Sequence, residues 1–327
     1  MRRREFIAFA GGATMWPLAA SAQQAEGMAH VGVLGPNPEA TLARIGYQAF
    51  STELQKLGFT QGKNLQLDYR RTDQGMDLAV AAVRELVAAK ANVIVAIGPE
   101  ISLRAALAPN SGLPIVILAF NYDPIARGYV ESLAHPGGNI TGLFTRQPEL
   151  AVKQLQLLAE AFPGKDRLGV LWDDQTAEQF ASAEQEAQKM QLAMTSIKLM
   201  SSPYDFEKAF RTAEDNGVQI LLVLSSPLFA PHNKEIVDLA MRYRLPAMFT
   251  FKFYVEAGGL MSYGVDTEPL YRRGAAYVAK ILRGAKASDL PVEQASNFEL
   301  TLNLKTAKAT GFTLPTSILL RANEVIE

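Results

Sequence analysis

Val31-Gly32-Val33-Leu34 and Leu168-Gly169-Val170-Leu171 are two short apolar runs of one pattern, 137 residues apart in a chain of 327. Each opens a series. The first series continues at 65–69, 93–97 and 115–119, with starts 34, 28 and 22 residues apart. The second continues at 194–199, 220–224 and 247–251, with starts 26, 26 and 27 apart. Runs of about five β-rich residues suit strands buried on both faces, and these intervals suit β-α-β units. Helical stretches fill the gaps. Tyr47, Phe50, Leu54 and Leu57 share one helical face before Gly58, and 177–190 and 204–216 read as helices.

Eight parallel strands plus extras would make an unusually wide single sheet. The expected architecture is therefore α/β, with two doubly wound parallel-sheet lobes. Leftover elements follow the second series. They are a strand at 260–264, a helix carrying Tyr271, Ala275, Val278 and Leu282, and an alternating edge strand at 298–302. Returning them to the two lobes gives three crossings around a cleft, a hinge. The expected division is lobe 1 at 23–121 with 257–290, and lobe 2 at 122–256 with 291–327. The segment 123–144, with Pro136-Gly137-Gly138-Asn139, reads as the connection between lobes.

Residues 1–22 read as an address. Arg2, Arg3 and Arg4 precede a weakly apolar core at 7–20, and Ala20-Ser21-Ala22 offers a cleavage site after Ala22. The core is too short to span a bilayer. Arg3-Arg4-Glu5-Phe6-Ile7 resembles the twin-arginine export pattern, with an ordinary Sec signal as the alternative. Cleavage leaves 305 residues, with 29 basic and 32 acidic. A net charge of −3 argues against a nucleic-acid partner, and no later run argues for membrane insertion. Zero cysteine excludes disulfides, zinc–thiolate sites and thiol catalysis. A periplasmic location and a monomer are expected.

Catalytic motifs are missing. No G-x-G-x-x-G or G-x-x-x-x-G-K-[ST] follows either opening strand, and Gly35-Pro36-Asn37-Pro38 blocks close approach of a dinucleotide. His30, His135 and His232 are too scattered for a metal pair. No metal or cofactor is expected, and no enzyme activity. The chemistry instead gathers at strand ends, where α/β folds bind ligands. Glu100 and Asp174 stand there, as candidates for an ammonium group or as helix-capping residues. Ser102, Ser225 and Ser226 offer hydroxyls. Phe120, Tyr122, Phe249 and Tyr263 offer walls for a flat apolar body, with core packing as their alternative. Asn37 and Gly98 complete the candidate ligand set.

Four blocks carry a family resemblance. They are Asp123-Pro124-Ile125 with 133–142 (LAHPGGNITG), then 256–264 (EAGGLMSYG), 303–308 (NLKTAK) and 319–327 (LLRANEVIE). Together they resemble the substrate-binding proteins of ABC importers, of the tryptophan/tyrosine-binding type. The resemblance covers nearly all of 29–327. It implies a type I periplasmic-binding fold, an importer permease as partner, and a small amino acid-like or aromatic solute held by hinge closure. The departures fall at strand ends. Pro99-Glu100 replaces a small or hydroxyl residue, Asp173-Asp174 replaces Asn-Pro, and Lys252-Phe253-Tyr254-Val255 replaces an Arg-Glu pair before Phe-Val. An exported ligand sensor, or an exported α/β hydrolase, stays open on the same scaffold.

Overall fold

The computed structural model describes residues 27–37, 41–200 and 203–327. The export signal read at 1–22 lies outside the described residues. Strands and helices alternate through β1 (Ala29–Gly35), α1 (Thr41–Lys56), β2 (Leu65–Arg71), α2 (Met76–Ala88), β3 (Val93–Gly98), α3 (Glu100–Leu107) and β4 (Ile115–Ala119). Next come β5 (Ile140–Phe144) and α4 (Gln147–Ala161). A second alternation follows in β6 (Arg167–Trp172), α5 (Ala177–Lys189), β7 (Ala193–Lys198), α6 (Phe206–Asp215), β8 (Ile220–Val223), α7 (Asn233–Arg242) and β9 (Ala247–Phe249). The chain ends with α8 (Lys252–Glu256), β10 (Met261–Val265), α9 (Thr267–Leu282), β11 (Val292–Gln294), β12 (Phe298–Asn303), α10 (Leu304–Thr310), α11 (Thr316–Leu319) and β13 (Glu324–Ile326).

Two sheets result. The first has the order β11-β5-β4-β3-β1-β2, with every pair parallel. The second has the order β13-β12-β10-β9-β8-β6-β7, and only β10 with β12 is antiparallel. The strands β3, β4 and β8 are buried along their whole length, so the apolar runs that mark them have no polar alternation. No helix among the described residues is long and apolar enough to cross a membrane.

The chain passes between the sheets three times: from β5 to α4, from β10 to α9, and from β11 to β12. The crossings lie side by side. Ala295 N–H donates to Phe144 O at 2.8 Å, and Asp266 N–H donates to Asn297 O at 3.0 Å.

The sheets divide the chain differently from the expected lobe boundaries. The range 122–256 contains β5, a strand of the first sheet, and 291–327 contains β11, its edge. In 257–290, β10 joins the second sheet, while α9 packs on α1 and the first sheet. Composition hid β5, because it follows a Gly- and Pro-rich turn. The strand at 298–303 is not an edge either, since β13 pairs outside it.

Two glycines of the resembling blocks have a physical reason. Gly142, in β5, has φ 126°, and a Cβ there would meet Ile117 O at 2.2 Å. Gly264, in β10, would meet Thr250 O at 1.9 Å. Both let a strand approach its neighbour's backbone where any side chain collides. Gly142→Ala is expected to lower unfolding stability by about 2–4 kcal/mol, through strain and overpacking. Urea denaturation checks this; an unchanged midpoint would contradict the assignment.

Candidate functional site

Parallel pairing sends the carboxyl ends of β1, β2, β3 and β4 to one edge of the first sheet, and those of β6, β8 and β9 to one edge of the second. These edges bound a cavity of about 390 Å³. The first sheet contributes Asn37, Thr72, Asp73, Gly98, Phe120 and Asn121. The second contributes Gln175, the turn from Val223 to Leu228, Thr250, Phe251 and Tyr254. Tyr271 of α9 also lines it.

The walls are mostly apolar. Phe120 of one sheet meets Phe251 of the other edge-to-face, with ring centroids 6.4 Å apart. Behind Phe251 stands a stack of Phe253, Tyr254 and Phe249, at 5.7, 4.6 and 4.8 Å in succession. Burial pushes the Tyr254 and Tyr271 hydroxyls up, so both stay protonated donors.

Asn121 joins the lobes. Its φ of 67° is left-handed, a conformation Asn tolerates. Its Nδ2 donates to Ser225 O at 2.9 Å, and its Oδ1 accepts from Gln179 Nε2 at 3.1 Å. Gln179 Oε1 in turn accepts the Ser225 N–H at 3.0 Å. The two backbone groups of Ser225 and two side-chain amides thus form a closed ring across the cleft. Arg127 adds an ion pair to Glu178 at 2.6 Å.

Asp173 shapes the second wall. It is 1% exposed. Its carboxylate accepts from Ser226 Oγ at 2.5 Å, from Tyr204 Oη at 3.0 Å and from the Gln175 N–H at 3.0 Å. The carboxylate also raises the Tyr204 hydroxyl, after burial, so that donor is kept. On the opposite side Asp73 is gripped by Arg71, with Nε–Oδ1 at 2.9 Å and Nη2–Oδ2 at 2.8 Å. These hydrogen bonds outweigh desolvation and hold its carboxyl below the usual range.

Of the residues expected from sequence, Asn37, Gly98, Phe120, Ser225 and Ser226 line the cavity. The others stand elsewhere. Ser102 is 1% exposed and bonds Ile97 O and Thr72 Oγ1, so it braces the wall from behind. Tyr122 is buried in the core of the first lobe against Tyr129. Phe249 is fully buried beneath Tyr254, and Tyr263 stacks on Phe298. Glu100 accepts from Tyr129 Oη at 2.6 Å, which after burial helps push that hydroxyl up to about 12. Asp174 pairs with Lys198 at 2.6 Å, and the N-cap role there belongs to Asp173. Glu100 and Asp174 line a separate crevice of about 230 Å³ beside the cavity.

Thr72, Asp73, Asn121, Gln175, Phe251, Tyr254 and Tyr271 were not read from sequence. For Asp73 the signal was obscured by the charged tail of β2, Asp68 to Arg71, which reads as solvent-facing. For Asn121 it was present, because Asn121 directly follows Phe120 at the end of β4.

Comparison with known proteins fits this geometry. A family model described as ABC transporter substrate binding protein matches residues 40–326. The chain belongs to this family. Its members bind solutes and are not enzymes. The tyrosine-binding protein of Clostridioides difficile (strain R20291) is 24% identical to this substrate-binding protein over 265 residues, 80% of this chain and 75% of that one. A conserved domain protein from Vibrio cholerae superposes with a TM-score of 0.81 at 25% identity, covering 91% of this chain and 99% of that one. An ABC domain in complex with L-Trp from Streptococcus pneumonia gives 0.80 at 24% identity, with the same coverage. The ligand-free, open structure of a substrate binding protein from Clostridium difficile gives 0.65 at 22% identity, again covering 91% and 99%. The type I periplasmic-binding plan is therefore the fold of this chain.

Asp173→Ala is expected to cost about 2–3 kcal/mol, because it orphans Ser226 and Tyr204 and removes a helix cap. Urea denaturation of the variant checks this; a loss under about 0.5 kcal/mol would contradict the role, since that is the scatter of ordinary surface changes.

Proposed function

We propose that this substrate-binding protein is an exported receptor that holds a small amino acid-like or aromatic solute in the interlobe cavity. In this reading it presents the solute to the permease of an ABC importer. The observation that carries the reading is the cavity itself, an apolar space of about 390 Å³ walled from both lobes. That volume suits a single-ring or two-ring solute. Phe120 and Phe251, in edge-to-face contact, offer a flat body an aromatic surface built from both lobes.

Closure follows from the same contacts. Only an arrangement with the lobes together lets Asn121 reach Ser225 and Gln179, and lets both lobes touch one solute. A solute that contacts both walls binds the closed state better than the open one, and that difference drives the hinge. The names of the relatives support the solute class: one is called tyrosine-binding and one holds L-Trp. Export to the periplasm rests on the Arg-rich start and on Ala20-Ser21-Ala22. A sensor role would use the same cleft with a different membrane partner.

Calorimetric titration with aromatic and aliphatic amino acids, aromatic amines, aromatic acids and sugars tests the solute class. Saturable binding of ring-bearing members is expected, and exclusive binding of sugars would sink the reading. Asn121→Ala removes an interlobe bond worth about 1 kcal/mol and should weaken the solute found by about fivefold. Unchanged affinity would place the closing interaction elsewhere.

A further inference from the structure

The charge of the cleft narrows the solute further, on the reading that this cleft is the solute site. Among the described residues lining the cavity, the one ionised side chain is the Asp73 carboxylate. Arg71, which grips it from the end of β2, is not among those lining residues. The adjoining crevice shares Pro99, Asn121 and Gln175 with the cavity. It adds Glu100, Asp174 and Glu178 against one base, Arg127. That base is committed, 2.6 Å from Glu178 and 3.7 Å from Glu100.

The two helix starts at the cleft are poor places for a carboxylate. Anions favour helix N-termini with free N–H groups. The helix α3 starts after Pro99, which has no N–H, and carries Glu100 in its first turn. Its Ser102 N–H is given to Pro99 O at 3.0 Å. Across the cleft, the turn before α5 is capped by Asp173, whose own carboxylate takes the Gln175 N–H. Two hydroxyls on the walls are spent as well. Ser226 donates to Asp173, and Ser102 donates to Ile97 O, which leaves Thr72 to donate to Ser102. A carboxylate drawn into this cleft would lose its water, meet no free cation on the lining and face the Asp73 carboxylate, with Glu100, Asp174 and Glu178 in the adjoining crevice. An ammonium group gains from the same surroundings.

We propose that the cleft selects a ring-bearing apolar amine without a free carboxylate, its ring against the Phe120–Phe251 pair and its ammonium group on Asp73. This separates the chain from an amino acid receptor of the same fold. It also assigns a consequence to the residues Glu100 and Asp173-Asp174, which place carboxylates at both helix starts.

Calorimetry with matched sets tests it: tryptamine, L-tryptophan, indole-3-acetate and indole, and the corresponding phenylethyl series. In each set the amine should bind at least about tenfold tighter than the amino acid, with the acid weakest, as expected for one charge-assisted contact. Asp73→Asn should weaken the amine about tenfold and leave indole within about twofold, so that a merely structural loss is distinguished. Equal or tighter binding of the amino acid or the acid would overturn the charge selection while leaving the aromatic-solute reading intact. An amine affinity unmoved by Asp73→Asn would overturn the assigned contact. Failure of every ring compound to bind, while another solute does, would overturn the aromatic reading and this proposal together.

Discussion

Parallel pairing sets everything else in this molecule. In a parallel sheet each strand ends at the same edge, so every turn that follows a strand is delivered to one place. Two such sheets, linked by three adjacent crossings, bring their edges face to face. The cavity is the space between them, and most residues lining it are one to five positions past a strand. The glycines at 142 and 264 serve the same constraint, because they let strands of each sheet lie close enough to hold register.

The two walls are built differently. The second-lobe wall is fixed by Asp173, which ties a helix start, a serine and a tyrosine into one buried network. The first-lobe wall reaches across through Asn121. A handful of interlobe hydrogen bonds, each worth about 1 kcal/mol net, exchange against bonds to water when the lobes part. In the proposed closure they orient the lobes more than they drive them together. Burial of apolar surface stabilises the closed state more strongly. A single aromatic body of roughly 200 Å² covered from both sides is worth about 5 kcal/mol. That is comparable to the roughly 5.5 kcal/mol of differential affinity that turns a mostly open population into a mostly closed one.

Much of the fold was legible because fully buried parallel strands leave a continuous apolar mark. The runs at 65–69, 93–97 and 115–119 fall within β2, β3 and β4. The strand β5 was missed, since Pro136-Gly137-Gly138-Asn139 signals a turn and gives no hint that a strand starts one residue later. The very short β11 and β13 carry no periodicity to read. The site was legible where a residue lies at or just past a strand end, as at Asn37, Gly98, Phe120 and Ser225. Sequence could not tell an aromatic that faces the cavity from one that supports it: Phe251 lines the wall while Phe249 lies beneath it. The carboxylates failed for a related reason. Glu100 and Asp174 sit at strand ends as expected, but Tyr129 and Lys198, distant in sequence, claim them.

The central claim is that a solute pulls two lobes together about the three crossings. The chain has no cysteine, so one introduced on each lobe can be spin-labelled cleanly. Exposed positions Arg84 on α2 and Gln185 on α5 serve as Arg84→Cys and Gln185→Cys. Pulsed electron–electron resonance between them, before and after saturation with a calorimetrically confirmed solute, is the direct measurement. A broad distance distribution should collapse onto its closed component when solute binds. A distribution unchanged at saturation would contradict closure.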